Sequence, residues 1–335
     1  MTLAKPTFAA DGTVHVPAFE LPPSPFSSAE AQAAQARRAL IPGGVPPADL
    51  PIEVIREGLE AMLAPQVAAM REVYKVDIAE DAIAGIPVRI ITPADREPMP
   101  GKLLVNLHGG AFTMCADACA LLESVPIAAL GGYRIVTVDY RMAPEAQHPA
   151  ALEDIEAVWR KLLETYRPES MAIYGCSAGG ALTAQMAAWL PRRGLPQPAA
   201  IGIFGAGGVR FMHGDSAYVA GYIDGSFPPP PLPGEVGSDM TRGYFHGHDM
   251  EDPVISPALH PEVIATFPPT LLITGTRAMD MTPAIVTNSA LLKAGVASTL
   301  IVGEAMGHCF IYAPDIPESR DAHQAIVDFF GRHLQ

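Results

Sequence analysis

Gly175, Cys176, Ser177, Ala178, Gly179 and Gly180 directly follow a short apolar run, Met171 to Tyr174, and open a stretch whose apolar residues recur at helical spacing. In a strand-turn-helix setting a Gly-x-Ser-x-Gly segment lifts the serine hydroxyl out of a tight turn. The flanking small residues let the backbone pass without a Cβ clash. The chemistry this suits is nucleophilic attack on an acyl carbon. A helix beginning at Ala178 also presents an N–H and a favourable dipole to a developing negative oxygen.

A serine hydroxyl is a weak nucleophile at neutral pH, so it needs a histidine base and an acid that fixes the base's tautomer. His308 is the candidate base. It lies in the loop Gly303 to His308, after the apolar run Leu300 to Val302 and late in the chain, where the order Ser, acid, His requires it. His15, His323 and His333 read as surface or packing residues, and His108 as a structural one. The candidate acid is Asp280, the carboxylate in the loop that follows Leu271 to Ile273. Glu304, four residues from His308, is the reserve, although its position suits bracing of the loop. A further segment, His108-Gly109-Gly110-Ala111-Phe112, follows the run Leu103 to Leu107. Such a loop offers two backbone N–H groups with no side chain in the way. With Ala178 they would stabilise a tetrahedral oxyanion, and losing one such donor costs ~3 kcal/mol of barrier.

These groups need a scaffold. The apolar runs named above, with Ile135 to Val138 and Ile201 to Phe204, show little alternation, as strands buried on both faces do. Between them lie segments of helical spacing such as Ile155, Val158, Trp159, Leu162 and Tyr166. Strand and helix alternate, which predicts a mostly parallel sheet flanked by helices. Two proline-rich regions stand outside this pattern: the start of the chain to about Pro51, with room for one helix, and Phe211 to His260, with Pro228 to Pro231 in a row.

The chain has 335 residues, of which 49% are hydrophobic and 17% charged, so it is globular and not disordered. Its net charge of −14 repels phosphate backbones and argues against nucleic acid as a partner. No apolar run reaches the ~20 residues of a membrane span, and a cytoplasmic location is expected. The four cysteines (Cys115, Cys119, Cys176, Cys309) are too few and unevenly spaced for a disulfide framework and read as small apolar packing residues. His246, His248 and Asp249, with His213 and His260, match no zinc spacing. No metal and no cofactor are expected.

Taken together, the segment at 108 to 111, Asp139-Tyr140-Arg141-Met142-Ala143-Pro144-Glu145, the serine turn, Asp252-Pro253-Val254-Ile255-Ser256-Pro257 and the late Asp and His resemble the bacterial hormone-sensitive-lipase family of esterases. The resemblance implies an α/β-hydrolase fold with a helical or irregular cap. The cap would comprise residues 1–70 and an insertion at 208–262, and the catalytic domain residues 71–207 and 263–335. It implies Ser177, Asp280 and His308 as the triad, and Gly109, Gly110 and Ala178 as oxyanion donors. Three positions depart from the family: Ala111 stands where a third glycine is usual, Cys176 where aspartate is frequent, and Ala278 where the acid commonly sits, two residues before Asp280.

The expected function is a serine carboxylesterase acting on small-molecule esters with short to medium acyl chains. Phe211, Tyr218, Tyr222, Phe227, Tyr244 and Phe245 would roof an apolar pocket. An amide, lactone or carbonate hydrolase with the same triad, and a non-catalytic ligand-binding protein on the same scaffold, are the alternatives. The sequence leaves the oligomeric state open, a homodimer included.

Overall fold

A computed structural model describes residues 5–37, 50–211, 213–224, 230 and 239–335. Its strands are β1 (Thr7–Phe8), β2 (Val14–His15), β3 (Val76–Ile83), β4 (Ile86–Pro93), β5 (Leu103–Leu107), β6 (Arg134–Val138), β7 (Met171–Cys176), β8 (Ala200–Phe204), β9 (Thr270–Gly275) and β10 (Ser298–Gly303). The helices are α1 (Ala29–Arg37), α2 (Ile52–Val73), α3 (Ala118–Gly131), α4 (Ala150–Leu162), α5 (Ala178–Arg192), α6 (Asp215–Tyr218), α7 (Ala220–Asp224), α8 (Pro261–Ile264), α9 (Met281–Lys293) and α10 (Pro317–His333).

β1 and β2 form a small ribbon, and the others make one sheet in the order β10-β9-β8-β7-β5-β6-β4-β3. From β10 to β6 every pairing is parallel, while β4 joins β6 antiparallel and β3 closes the edge as the other arm of a hairpin. Both faces are covered. Leu103, Val105 and Leu107 of β5 pack with Ile155 and Trp159 of α4 and Leu182 and Met186 of α5. Leu104 points the other way, to Ile127 of α3 and Ile326 and Phe330 of α10. This two-sided burial explains why the segments of β5 to β9 show no polar alternation; β10, an edge strand, is only partly buried although Leu300 to Val302 reads the same way. β3 and β4 carry no such signal. β3 is an edge strand with Asp77, Glu80 and Asp81 exposed, a pattern that discourages pairing with another chain.

After β5 the chain adds β6 on one side, then crosses to place β7 on the other. In open α/β sheets the crevice at such a reversal, outside the carboxyl ends of the strands, is where ligands bind. The parallel strands β5, β7, β9 and β10 lead into the loops of His108, Ser177, Asp280 and His308.

The segments outside the sheet are tied to these loops. Arg56 of α2 grips both carboxylate oxygens of Glu145 at 2.7 and 2.8 Å and donates to the Thr113 carbonyl. Gln35 of α1 donates to the Ala305 carbonyl at 2.6 Å, next to the His308 loop. Ser216 of α6 donates to the Met279 carbonyl at 2.7 Å, beside Asp280. Pro42, Pro46, Pro47, Phe227 to Pro229 and Pro231 lie outside the described residues. Among the described residues no helix is long and apolar enough to cross a membrane.

The reading of the cysteines as unpaired packing residues is corrected. Cys115 is disulfide-bonded to Cys119, and Cys176 to Cys309, 133 positions away. Spacing alone hides the second pair, because only the fold sets the end of β7 against the loop after β10. The inference from cysteine number to a reducing compartment loses its footing, since disulfides persist where the surroundings are oxidising. Cross-linking so long a loop restricts the unfolded chain, so replacing both Cys176 and Cys309 by Ala is expected to remove about 2–4 kcal/mol of stability. Urea unfolding of the oxidised protein measures it; an unchanged midpoint would show that the link constrains nothing.

Candidate active site

The turn that carries Ser177 leaves no room for side chains. A Cβ on Gly175 would sit 2.1 Å from the Leu107 carbonyl oxygen, one on Gly179 1.7 Å from the same atom, and one on Gly180 2.6 Å from the Phe204 carbonyl oxygen. Ser177 itself adopts φ 59°, ψ −122°, a conformation that costs a non-glycine residue on the order of 1–3 kcal/mol. Its N–H is held by the Phe204 carbonyl at 2.9 Å. The end of β5, the end of β8 and the first turn of α5 thus fix where the hydroxyl stands.

His308 Nε2 lies 2.9 Å from Ser177 Oγ, and its Nδ1 lies 2.6 Å from Asp280 Oδ1. Asp280 is fully buried, and its second oxygen accepts from Thr274 Oγ1 at 2.6 Å. An ionised carboxylate only accepts, so the His308 proton belongs on Nδ1 and leaves Nε2 as the acceptor for the serine O–H. The arrangement can take a proton from Ser177 as its oxygen forms a bond to carbon. The two-residue displacement of the acid is absorbed by a turn in which the Ala278 N–H bonds the Gly275 carbonyl at 3.1 Å. Glu304, the reserve acid, instead accepts from Ser24 Oγ at 2.8 Å and braces the N-terminal segment.

The three expected oxyanion donors divide. The Gly109 N–H is not offered toward Ser177: it donates to Glu123 Oε1 at 2.9 Å, because α3 folds back beneath the loop and delivers that carboxylate. Gly109 therefore leaves the donor set. Among the described residues nothing accepts from the N–H groups of Gly110, Ala111 or Ala178. Gly110 and Ala111 have φ of 110° and 54°, so the loop turns sharply at both. A Cβ on Gly110 would stand 1.9 Å from the Met114 carbonyl oxygen, which is why that position is glycine.

Glu123 was not among the residues singled out from the sequence. It is fully buried and accepts four hydrogen bonds, from Gly109 N–H, Tyr312 O–H, Asn106 Nδ2 and Cys176 N–H. Burial pushes its carboxyl up to about 7 against the opposing pull of those four donors. One signal was available: it is an acidic residue inside an otherwise apolar helix, Ala118–Gly131. Tyr312 and Thr274 had no such signal. His108 is buried and neutral, its imidazole pushed down to about 4 by desolvation, and its ring stacks on Tyr140 at 4.2 Å. The Tyr140 hydroxyl donates to the His108 carbonyl at 2.6 Å and so orients the loop start.

Of the aromatics expected over the pocket, Phe211 meets the His308 ring edge-on at 5.9 Å, and Tyr244 and Phe245 pack on Phe112 at 4.9 and 5.0 Å. Tyr222 is 70% exposed, and Phe227 lies outside the described residues. His248 meets His148 edge-on at 4.9 Å. Among the described residues no group of three or more His, Cys, Asp and Glu is placed to hold a metal ion.

Comparison with known proteins agrees with this architecture. The sequence profile of the alpha/beta hydrolase fold family matches residues 104–312. LipR of Mycobacterium tuberculosis, named an acetyl-hydrolase, is 34% identical over 147 residues, 44% of this chain and 47% of LipR. The match thus spans about half the length of that relative. The crystal structure of an esterase E25 superposes with a TM-score of 0.79 at 27% identity, covering 96% of this chain and 99% of that one. An esterase from the bacterial hormone-sensitive lipase family shares the fold, with a TM-score of 0.76 at 24% identity over 92% of this chain and 99% of that one.

Gly179→Ala drives a methyl group into the Leu107 carbonyl, backbone that cannot swing aside, and is expected to cost about 3 kcal/mol or more. Gly58→Ala on α2, where no atom lies within 4 Å of the added Cβ, is expected to gain about 0.5–1 kcal/mol. Thermal melts of the two variants measure the contrast; equal melting temperatures would contradict the packing argument.

Proposed function

The chain belongs to the alpha/beta hydrolase fold family, and from that premise we propose that it is a serine carboxylesterase, working through an acyl-enzyme on small esters with short to medium acyl chains. The observation that carries the reading is the continuous hydrogen-bonded path from Ser177 through His308 to Asp280 at the carboxyl ends of parallel strands.

In this reading Ser177 Oγ attacks the ester carbonyl carbon while His308 Nε2 takes the hydroxyl proton. The carbonyl oxygen becomes an oxyanion that accepts from the N–H groups of Ala178 and Gly110, with Ala111 as the third donor in place of Gly109. Ala178 is the first residue of α5, so the helix dipole adds to its N–H. As the tetrahedral species collapses, the C–O bond to the alcohol breaks and His308 returns the proton to the departing oxygen. A water then repeats the sequence: His308 accepts its proton, its oxygen attacks the acyl carbon, and Ser177 leaves with the proton restored. Asp280 keeps the imidazole in one tautomer and stabilises its charged form.

The substrate class rests on two supports. Phe211 beside His308, and Phe245 packed on Phe112 of the Gly-Gly loop, offer apolar surface for an acyl or alcohol group. The relative LipR is named for the release of an acetyl group. We place residues 1–70 and 208–262 together as the cap, because α1, α2 and α6 bond to the loops that carry the candidate site.

Ser177→Ala is expected to reduce hydrolysis of p-nitrophenyl acetate or butyrate to background with folding intact by circular dichroism. Retained turnover would defeat the assignment. In Asp280→Asn the amide oxygen accepts from Thr274 and the NH2 group faces His308 Nδ1 as a donor, which reverses the favoured tautomer; a loss of about 10⁴ in kcat is expected. Steady-state kinetics at neutral pH measures it, and a wild-type rate would remove Asp280 from the relay.

A further inference from the structure

Glu123 bonds to segments next to three of the four loops of the candidate site: those of His108, Ser177 and His308. Its Oε1 accepts from the Gly109 N–H at 2.9 Å and the Tyr312 O–H at 2.5 Å; its Oε2 accepts from Asn106 Nδ2 at 2.7 Å and the Cys176 N–H at 3.2 Å. Gly109 precedes the amides of Gly110 and Ala111, which have no acceptor among the described residues. Cys176 precedes Ser177. Tyr312 stands in the short helix Phe310–Tyr312 that follows His308.

All four partners donate in this arrangement, and a carboxylate with both oxygens accepting is the form that keeps all four bonds. Placing a charge at zero exposure is costly, and an apolar residue would fill the same space in α3 without that cost. Among the described residues the groups around it give no compensating cation: from β5 Asn106 and the neutral His108, after β6 Tyr140, from β7 Tyr174 and from the short helix Tyr312. What the carboxylate does supply is direction. Two of its partners are backbone amides, one at the start of the Gly-Gly loop and one just before Ser177, and a single planar group sets the distance between them. The fit is tight enough that a Cβ on Gly109 would lie 2.8 Å from the Tyr312 hydroxyl.

We infer that Glu123 is a positioning residue: its carboxylate holds the loop after β5 and the turn before Ser177 in the spacing at which Gly110, Ala111 and Ala178 bind the oxyanion. The inference rests on the esterase reading. It assigns Glu123 no contact with substrate and no proton transfer.

Glu123→Gln keeps the shape but turns two acceptor positions into donors that face donors. Its kcat for p-nitrophenyl butyrate is expected to fall about 10–100-fold, with KM within about twofold, because the oxyanion forms only after binding. The affinity for a trifluoromethyl ketone, whose serine adduct carries the same oxyanion, is expected to fall by a similar factor. A purely structural Glu123 would lower the melting temperature and leave both values unchanged, which overturns the inference. If Glu123→Gln gives no folded protein, Tyr312→Phe decides: it frees one carboxylate position without adding a donor, and both values are expected to fall about 3–10-fold in parallel. Wild-type values in that variant overturn the inference equally. Ser177→Ala measured alongside separates the two readings, since activity that survives it defeats the esterase proposal whatever Glu123 does.

Discussion

The Leu107 carbonyl oxygen at the end of β5 is the point against which the site is built. Gly175 and Gly179 both bring main chain so close to it that a single methyl group on either would collide. That approach sets the height of Ser177 above the sheet and starts α5 where its first N–H can face a negative oxygen. It also places the Gly-Gly loop, which begins one residue beyond Leu107, beside the serine. The strained backbone at Ser177 persists because the surroundings leave it no alternative.

Much of the framework is readable from residue order. Strands covered on both faces appear as unbroken apolar runs, and β5, β6, β7, β8 and β9 have that form. The edge strand β3 does not, since five of its eight residues are exposed and its acidic residues match no buried pattern. The hairpin it makes with β4 is therefore invisible to the same reasoning. Ser177, Asp280 and His308 were reachable because turn chemistry and chain order restrict where each can occur; the structure brings their side chains within hydrogen-bond distance.

What residue order could not convey is contact between distant segments. Cys176 and Cys309 read as unrelated until the fold sets them side by side. The Gly-Gly loop shows the same limit more subtly. Gly109 and Gly110 are chemically identical and adjacent, yet one amide turns down to a carboxylate on α3 and the next does not. Only the position of Glu123, fourteen residues on and buried beneath the loop, separates their roles. The stabilisation of the loops thus comes from polar groups inside the core as well as from the apolar packing that patterning reveals.

In the proposed reading, the Ser177 hydroxyl is made nucleophilic by its neighbours. Incubation with an excess of a fluorophosphonate, followed by intact-mass and peptide-mass spectrometry, tests it directly. A single adduct per chain, located on Ser177, is the predicted result. No adduct, or one on another serine, would contradict it.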